Sequence, residues 1–266
     1  MLTPKVSIVT PSYNHGRFLV ATLDSVRQQD YANIEHIVID GGSTDDTLEI
    51  LQRAPGIQWC SEPDRGQVDA LNKGFAKARG EILAWLCSDD TLSPNAVRTA
   101  VLALQQSDAD LVYGQGEIID ERGRFLGLAR VTPFEFRSLL CCNNWIPQPT
   151  VFFRRQLWER GGPLRLEFDN AFDYELWLRY SHHGRFAFVP EIRAQLRAHP
   201  AAKTVARPGV TLGDYDRIRA AYWPRGGLPS FLQHKPWFLA VHYFYRLKRR
   251  WRWYRQRRQS NHPTGP

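Results

Sequence analysis

The sequence predicts an α/β fold in which a mostly parallel central sheet is flanked by helices, followed by a small antiparallel section and a C-terminal helical tail. Short apolar runs rich in β-branched residues alternate with helical patterns over about the first 90 residues, as β-α-β crossovers require. Each of those runs stops at a polar loop, as strands do at the carboxyl edge of a parallel sheet. Beyond them come short strands without intervening helices, which suits antiparallel pairing. With 266 residues, 43% of them hydrophobic and 12% aromatic, the chain can bury one domain of roughly 200 to 250 residues plus an appendage. That composition excludes disorder as its general state.

The first strand is Val6-Ser7-Ile8-Val9-Thr10, halted at Pro11, and Phe18, Leu19, Thr22 and Val26 mark the helix after it. A second strand, Ile34 to Ile39, ends in Asp40-Gly41-Gly42-Ser43 and passes to a helix through Leu48 and Leu51. Ser43 with Asp46 three residues on has the spacing of a capping box. The third unit runs from Ile57 to Cys60, through a polar loop at 62–66, to a helix carrying Val68, Leu71, Phe75 and Ala78. Ile82 to Leu86 is a wholly apolar strand that stops at Cys87-Ser88-Asp89-Asp90, and Pro94 suits the first turn of the next helix. Strands at 111–113, 117–119 and 125–128 follow, then a loop-rich passage at 133–149 and another strand at 150–153.

The net charge is +8, and the segment from Arg246 to Arg258 carries eight basic residues and no acid. The body of the chain is therefore formally neutral, and the basic balance describes a tail rather than a basic groove. Cys60, Cys87, Cys141 and Cys142 form no C-x-x-C pair, which points to a reducing compartment over a disulfide framework or a zinc site. Met1 leads almost directly into the first strand without the pattern of a secretory signal. An apolar run of about 18 residues, the minimum for a spanning helix, is also lacking.

Acids at strand ends are the first sign of chemistry, because those ends border a cleft where an unpaired carboxylate is costly to keep. Asp40 and the pair Asp89-Asp90 qualify. Adjacent carboxylates repel unless a cation holds them, and Mg²⁺ or Mn²⁺ favours oxygen ligands shared with substrate phosphates. Taken alone, such a pair more often starts a turn or caps a helix. Asp173 is the second sign: positions 173, 176, 177 and 180 share a helical face, so a carboxylate at a helix start lies on an apolar face while Glu175 points elsewhere. By itself Asp173 would read as an ordinary first-turn acid.

These pieces resemble glycosyltransferase family 2. Val6 to Asn14, then Ile37-Val38-Ile39-Asp40-Gly41-Gly42-Ser43-Thr44-Asp45, look like that family's opening. Ser61-Glu62-Pro63-Asp64-Arg65-Gly66 with Asp69 to Gly74, and Gly80-Glu81-Ile82 leading to Ser88-Asp89-Asp90, resemble its next strands and its D-x-D-type metal motif. Four pieces in order, all at strand ends, make a specific signal. The likeness continues through Gln148 to Arg155 and Asp173 to Trp177 and fades after about residue 205.

The resemblance implies a GT-A type, Rossmann-like fold and an inverting transferase, dependent on Mg²⁺ or Mn²⁺, that moves a sugar from a nucleoside diphosphate to an acceptor hydroxyl. It implies that Thr10, Pro11 and Tyr13 line the nucleotide pocket, that Asp40 contacts the base or ribose, and that Asp89 lies near the ribose and donor sugar. Asp90 would hold the metal and Asp173 would be the catalytic base. Lys73 and Arg65 are weaker candidates for diphosphate or donor contacts, and His199, near Lys203, for the metal shell or a phosphate. The chain departs from the family pattern at Gly41, where many members carry a second acid, and at Phe172, where many carry Glu.

The expected organisation is a catalytic domain at 1–205 and a basic, aromatic helical extension at 206–266. From Phe231 to Arg258, Trp237, Tyr243, Phe244, Tyr245, Trp251 and Trp253 interleave with arginines, a composition suited to the headgroup region of an anionic membrane. Nucleic acid is the less favoured partner for such a tail. The resulting expectation is a peripheral protein on the cytoplasmic face of the membrane, acting on a lipid-linked acceptor in cell-surface glycan synthesis. Its rival is a catalytically silent nucleotide-sugar-binding module. A nucleotidyltransferase would need a glycine-rich, basic loop where Thr10 to Asn14 stand.

Overall fold

The structure is a computed structural model that describes residues 3–142, 144–206, 208–223 and 247. Its strands are β1 (Val6–Ser12), β2 (Ile34–Asp40), β3 (Ile57–Ser61), β4 (Ile82–Trp85), β5 (Thr91–Leu92), β6 (Leu111–Ile119), β7 (Phe125–Leu128), β8 (Phe152–Arg154) and β9 (Phe186–Arg197). Its helices are α1 (Gly16–Arg27), α2 (Thr47–Arg53), α3 (Gln67–Lys77), α4 (Ala96–Gln106), α5 (Phe136–Cys142), α6 (Arg155–Gly161), α7 (Phe172–Tyr180), α8 (Lys203–Ala206) and α9 (Pro208–Tyr222). One sheet runs in the order β3-β2-β1-β4-β8-β6-β9-β5, with β7 paired to β6 at its margin.

The first four strands pair in parallel, β1 lying between β2 and β4. Strands β1, β2 and β4 are covered on both faces, so they are buried along almost their whole length, whereas β3 at the edge is largely exposed. Along β4, Ile82 and Ala84 enter the core formed with α4, while Leu83 and Trp85 enter the core formed with α3 and α7. Trp85 stacks on Trp177 of α7 with ring centroids 5.2 Å apart. Burying aromatic rings of this size contributes on the order of 2 to 3 kcal/mol each.

The antiparallel section forms where expected, through β4·β8, β6·β8 and β6·β7. Three features differ from the sequence expectation. The strands at 111–113 and 117–119 are one continuous β6, since Gly114 leaves room for Ile192 of β9 where a Cβ would collide with it. The passage 133–149 contains α5, whose Leu139 to Cys142 are all buried. Strand β9, twelve residues long and parallel to β6, was not anticipated.

The boundary expected at residue 205 precedes a helix that packs into the same body. Ile218 of α9 is fully buried in the main core, and Tyr222 donates to the Glu175 carboxylate at 2.5 Å. The aromatic and basic stretch from Phe231 to Arg258 lies outside the described residues, apart from exposed Leu247. Among the described residues no helix is long and apolar enough to cross a membrane.

Candidate active site

At the carboxyl edge of the sheet, the β1–α1 and β2–α2 loops lock together. Ser43 Oγ accepts the Asn14 N–H at 2.8 Å, and Asn14 Oδ1 accepts the Thr44 N–H at 2.8 Å. Asn14 has a positive φ of 52°, a conformation asparagine tolerates better than most residues. The Gly16 N–H donates to Asp45 at 3.0 Å, and a Cβ on Gly16 would run into the Asp46 carboxylate. The interlock leaves Tyr13, at the loop tip, 60% exposed, with its ring free to meet a flat ligand.

Asp40, expected to contact a base or ribose, is turned into its own loop. Its side chain is fully buried and accepts the N–H groups of Gly42 and Ser43 at 3.1 and 2.9 Å and the hydroxyls of Ser43 and Ser61 at 2.5 and 2.6 Å. Three of those donors meet Oδ2 and one meets Oδ1, so the carboxylate organises the loop. Ser43 is thereby recruited to Asp40, and the capping box expected with Asp46 does not form. Thr10 is likewise buried, with its hydroxyl 2.9 Å from His36 Nε2, and Pro11 is buried beside it. The Asp64 carboxylate comes against this loop, close to where a Cβ on Gly41 would be, and accepts the Gly66 N–H at 2.7 Å. Lys73 is committed to Glu62 at 2.9 Å and Asp69 at 3.4 Å, and Arg65 is an exposed side chain paired with Asp69.

After β4 the chain turns, and consecutive side chains separate. Asp90 points inward: it is buried, and its Oδ1 accepts the Arg197 N–H at 2.9 Å. Burial and the neighbouring Asp89 push its carboxyl well above the usual range, against the Arg197 N–H. Asp89, expected near the ribose, is the acid that faces His199, with Oδ2 and Nε2 2.9 Å apart. The turn after β4 thus sends the Asp89 carboxylate toward His199 and the Asp90 carboxylate, expected to hold the metal, toward the backbone of β9. His199 is buried against Phe18.

Two groups of potential metal ligands occur here among the described residues: His15, Asp89 and His199, and Cys87, Asp89 and Asp90, the ligand atoms within each group lying within 4.8 Å of one another. A partly exposed carboxylate with two imidazoles is a donor set that fits a divalent cation. Arg17 and Arg197 flank Phe18 at 4.2 and 4.9 Å from its ring centroid, adding positive charge beside the cluster.

Asp173 opens α7. Its Oδ1 accepts the Tyr174 N–H at 2.8 Å and its Oδ2 accepts Asn144 Nδ2 at 2.5 Å. Asn144 is itself oriented, its Oδ1 taking the Ile146 N–H at 3.2 Å. Desolvation nevertheless raises the Asp173 carboxyl to about 6, the two hydrogen bonds opposing it. Glu175, one turn position away, is fully buried and bonded to Arg179, so the two first-turn acids face different surroundings, as the helical period implies.

Cys87 lies within electrostatic reach of the acids after β4 and of the acid that opens α7. Burial, then the charges of Asp90, Asp89 and Asp173, push its thiol well above the ordinary range, with Lys203 opposing. Gln148 donates to the Trp85 carbonyl at 2.7 Å and accepts from Cys87 at 3.4 Å. Asp89, Asp90 and His199 are thus brought together, with the Asp173 charge felt at Cys87 beside them, while the Asp40, Thr10 and Lys73 side chains are held by other partners. His15, Phe18 and Asn144 were not anticipated. A histidine directly after the first strand's loop was a visible signal, but nothing in Cys141-Cys142-Asn143-Asn144 distinguishes the second asparagine.

Residues 7–161 match the family model described as glycosyl transferase family 2. The chain belongs to that family. An uncharacterized glycosyltransferase of Mycobacterium tuberculosis is 41% identical over 187 residues, covering 66% of this chain and 68% of the relative. A PGL/p-HBAD biosynthesis glycosyltransferase of Mycobacterium bovis is 31% identical over 186 residues, covering 67% and 70%. Among solved structures, S. aureus TarS 1–349 in complex with UDP-GlcNAc superimposes with a TM-score of 0.68 at 18% identity, covering 90% of this chain and 72% of that one. The mannosyltransferase PcManGT of Pyrobaculum calidifontis, in complex with GDP-Man and Mn²⁺, gives 0.62 at 18%, covering 94% and 88%. The fold of this family 2 glycosyltransferase is GT-A, and Asp89, in the turn after β4, lies at the strand edge where such sheets bind ligands.

Proposed function

We propose that the protein transfers a sugar from a nucleoside diphosphate sugar to an acceptor hydroxyl with inversion at the anomeric carbon, building a cell-surface glycan or glycolipid on a lipid-linked acceptor. The observation that supports this is the pairing of a partly buried carboxylate of raised pKa, Asp173, with the Asp89–His199 pair, the charges of Asp173 and Asp89 both acting on Cys87. Support for the donor class comes from TarS with UDP-GlcNAc and PcManGT with GDP-Man, and for a glycolipid acceptor from the PGL/p-HBAD relative.

In this mechanism Asp173 accepts the acceptor's hydroxyl proton as the new bond to the anomeric carbon forms. The bond from that carbon to the diphosphate oxygen breaks on the opposite face, its electron pair leaving with the diphosphate, so configuration inverts. Asn144 and the Tyr174 N–H hold the carboxylate in position. Asp89 and His199 would hold a divalent cation, which would supply positive charge to offset that of the departing diphosphate. Arg17 and Arg197 flank the same charge, and Tyr13 stacks on the nucleobase at the rim. The aromatic, basic tail docks the enzyme on the cytoplasmic membrane face, a role argued from its composition.

The test is nucleoside diphosphate release from a panel of UDP, GDP and dTDP sugars with a lipid-linked acceptor and Mn²⁺, alongside thermal shifts for each donor. Release with one donor, lost in Asp173→Asn, is expected. Donor-induced stabilisation without release across the panel and across acceptors would instead identify a binding module.

A further inference from the structure

Three separate segments deliver one cluster of potential ligands: His15 from the β1–α1 loop, Asp89 from the turn after β4, and His199 from just beyond β9. We propose that His15 is a third protein ligand for the divalent cation, making the donor set two imidazoles and one carboxylate, and that the site therefore favours transition ions such as Mn²⁺ and Co²⁺ over Mg²⁺. This rests on the assignment of a cation to Asp89 and His199.

The His15 ring is held before any ion arrives. Its Nδ1 lies 2.8 Å from the hydroxyl of Ser88, which is buried and directly precedes Asp89, so one dipeptide positions both the imidazole and the carboxylate. With Nδ1 occupied, Nε2 is the nitrogen left for a ligand, the outer-shell arrangement that metal-binding histidines commonly show. Phe18 packs against both imidazoles, at 6.3 Å from His15 and 5.0 Å from His199, and the two imidazole rings stand nearly perpendicular with centroids 5.9 Å apart. Fixing both rings by packing lowers the ordering cost of coordination.

The surroundings also accommodate the proton change that coordination demands. Arg17 Nη2 lies 3.3 Å from His199 Nδ1, which as an acceptor leaves the proton on Nε2 facing Asp89. When Nε2 becomes a ligand, the proton resides on Nδ1 and Arg17 loses that acceptor. Glu121 Oε1, 3.6 Å from the same guanidinium, is positioned to receive it. As for selectivity, Mg²⁺ demands near-ideal octahedral oxygen coordination and gives up water reluctantly, whereas imidazole nitrogen strengthens binding along the series from Mn²⁺ to Co²⁺.

The experiment titrates the full chain, without nucleotide, with Co²⁺ followed by visible absorption, with Mn²⁺ followed by electron paramagnetic resonance of the free ion, and with Mg²⁺ in competition. Wild type is expected to bind Co²⁺ more tightly than Mn²⁺ and Mn²⁺ more tightly than Mg²⁺. His15→Ala should weaken Co²⁺ by about tenfold or more and alter its absorption bands. His15→Gln, which retains a group able to hydrogen-bond Ser88, should do the same, so a folding defect in one variant is distinguishable from loss of a ligand. A folded His15 variant with wild-type Co²⁺ affinity and spectrum overturns the role of His15 while leaving the Asp89–His199 assignment standing. Equal metal binding by wild type, Asp89→Ala and His199→Ala overturns both.

Discussion

Asp173→Asn separates the chemical use of this carboxylate from its structural cost. Burial raises the carboxyl from 3.8 to about 6, a shift of about two pH units, and each unit corresponds to about 1.4 kcal/mol. The folded state therefore disfavours the ionised form by about 3 kcal/mol at most, less in practice because the side chain retains some exposure. The sign follows from the direction: a raised folded pKa means stability that is fully present below about pH 4 and is lost as pH rises through about 6. Asparagine removes that loss but supplies one oxygen where Asp173 uses two, so either the Asn144 amide or the Tyr174 N–H forfeits its acceptor, a cost of about 1 to 3 kcal/mol. Relative to wild type, the variant should gain about 2 kcal/mol between pH 4.5 and 8, or about 4 to 8 °C in Tm for a domain of this size. Turnover at pH 8 should fall by about 10²- to 10⁴-fold, the usual contribution of a general base. Differential scanning calorimetry at the two pH values and initial rates on one donor supply both numbers. A Tm difference that does not change with pH would refute the desolvation account, and unimpaired turnover would remove Asp173 from the proton transfer.

Three further outcomes follow from the same contacts. The pH–rate profile should climb about tenfold per pH unit below about pH 6 and level above it; in Asn144→Ala, which loses a donor to the ionised carboxylate, the limb should move to higher pH and kcat should drop, whereas a merely structural role for Asn144 would leave the limb in place. Arg179→Ala should cost about 3 kcal/mol or more in urea unfolding, because Glu175 is fully buried and Arg179 is its principal partner; adding Glu175→Gln should recover part of the loss, and additive losses would contradict the pairing. Removing residues 231 to 266 should abolish flotation with anionic liposomes at low salt; equal flotation of the two forms would exclude the tail as the membrane contact.

Local pattern carried much of the fold. The strands Val6–Ser12, Ile34–Asp40 and Ile82–Trp85 declare themselves because each is a short apolar run that must be buried on both faces, and the loops that stop them mark the cleft. Asp173 was legible for a similar reason, since its spacing to Leu176, Trp177 and Tyr180 sets it on the apolar side of a helix. What remained hidden depended on partners far along the chain. Asp89 and His199 are 110 residues apart, and only the pairing of β9 alongside β6 brings the histidine to the acid. That the Asp40 carboxylate is engaged by Ser61, 21 residues on, could not be read from the run that ends the second strand. That Asp89 meets His199 while Asp90 meets the Arg197 N–H depended on the direction of one turn, and recruiting Asn144 to Asp173 required α5 and α7 to pack together. Periodicity is a property of neighbouring residues and can be read along the chain. A carboxylate's role depends on which donors, cations and dielectric surround it, and those are assembled only when the sheet closes.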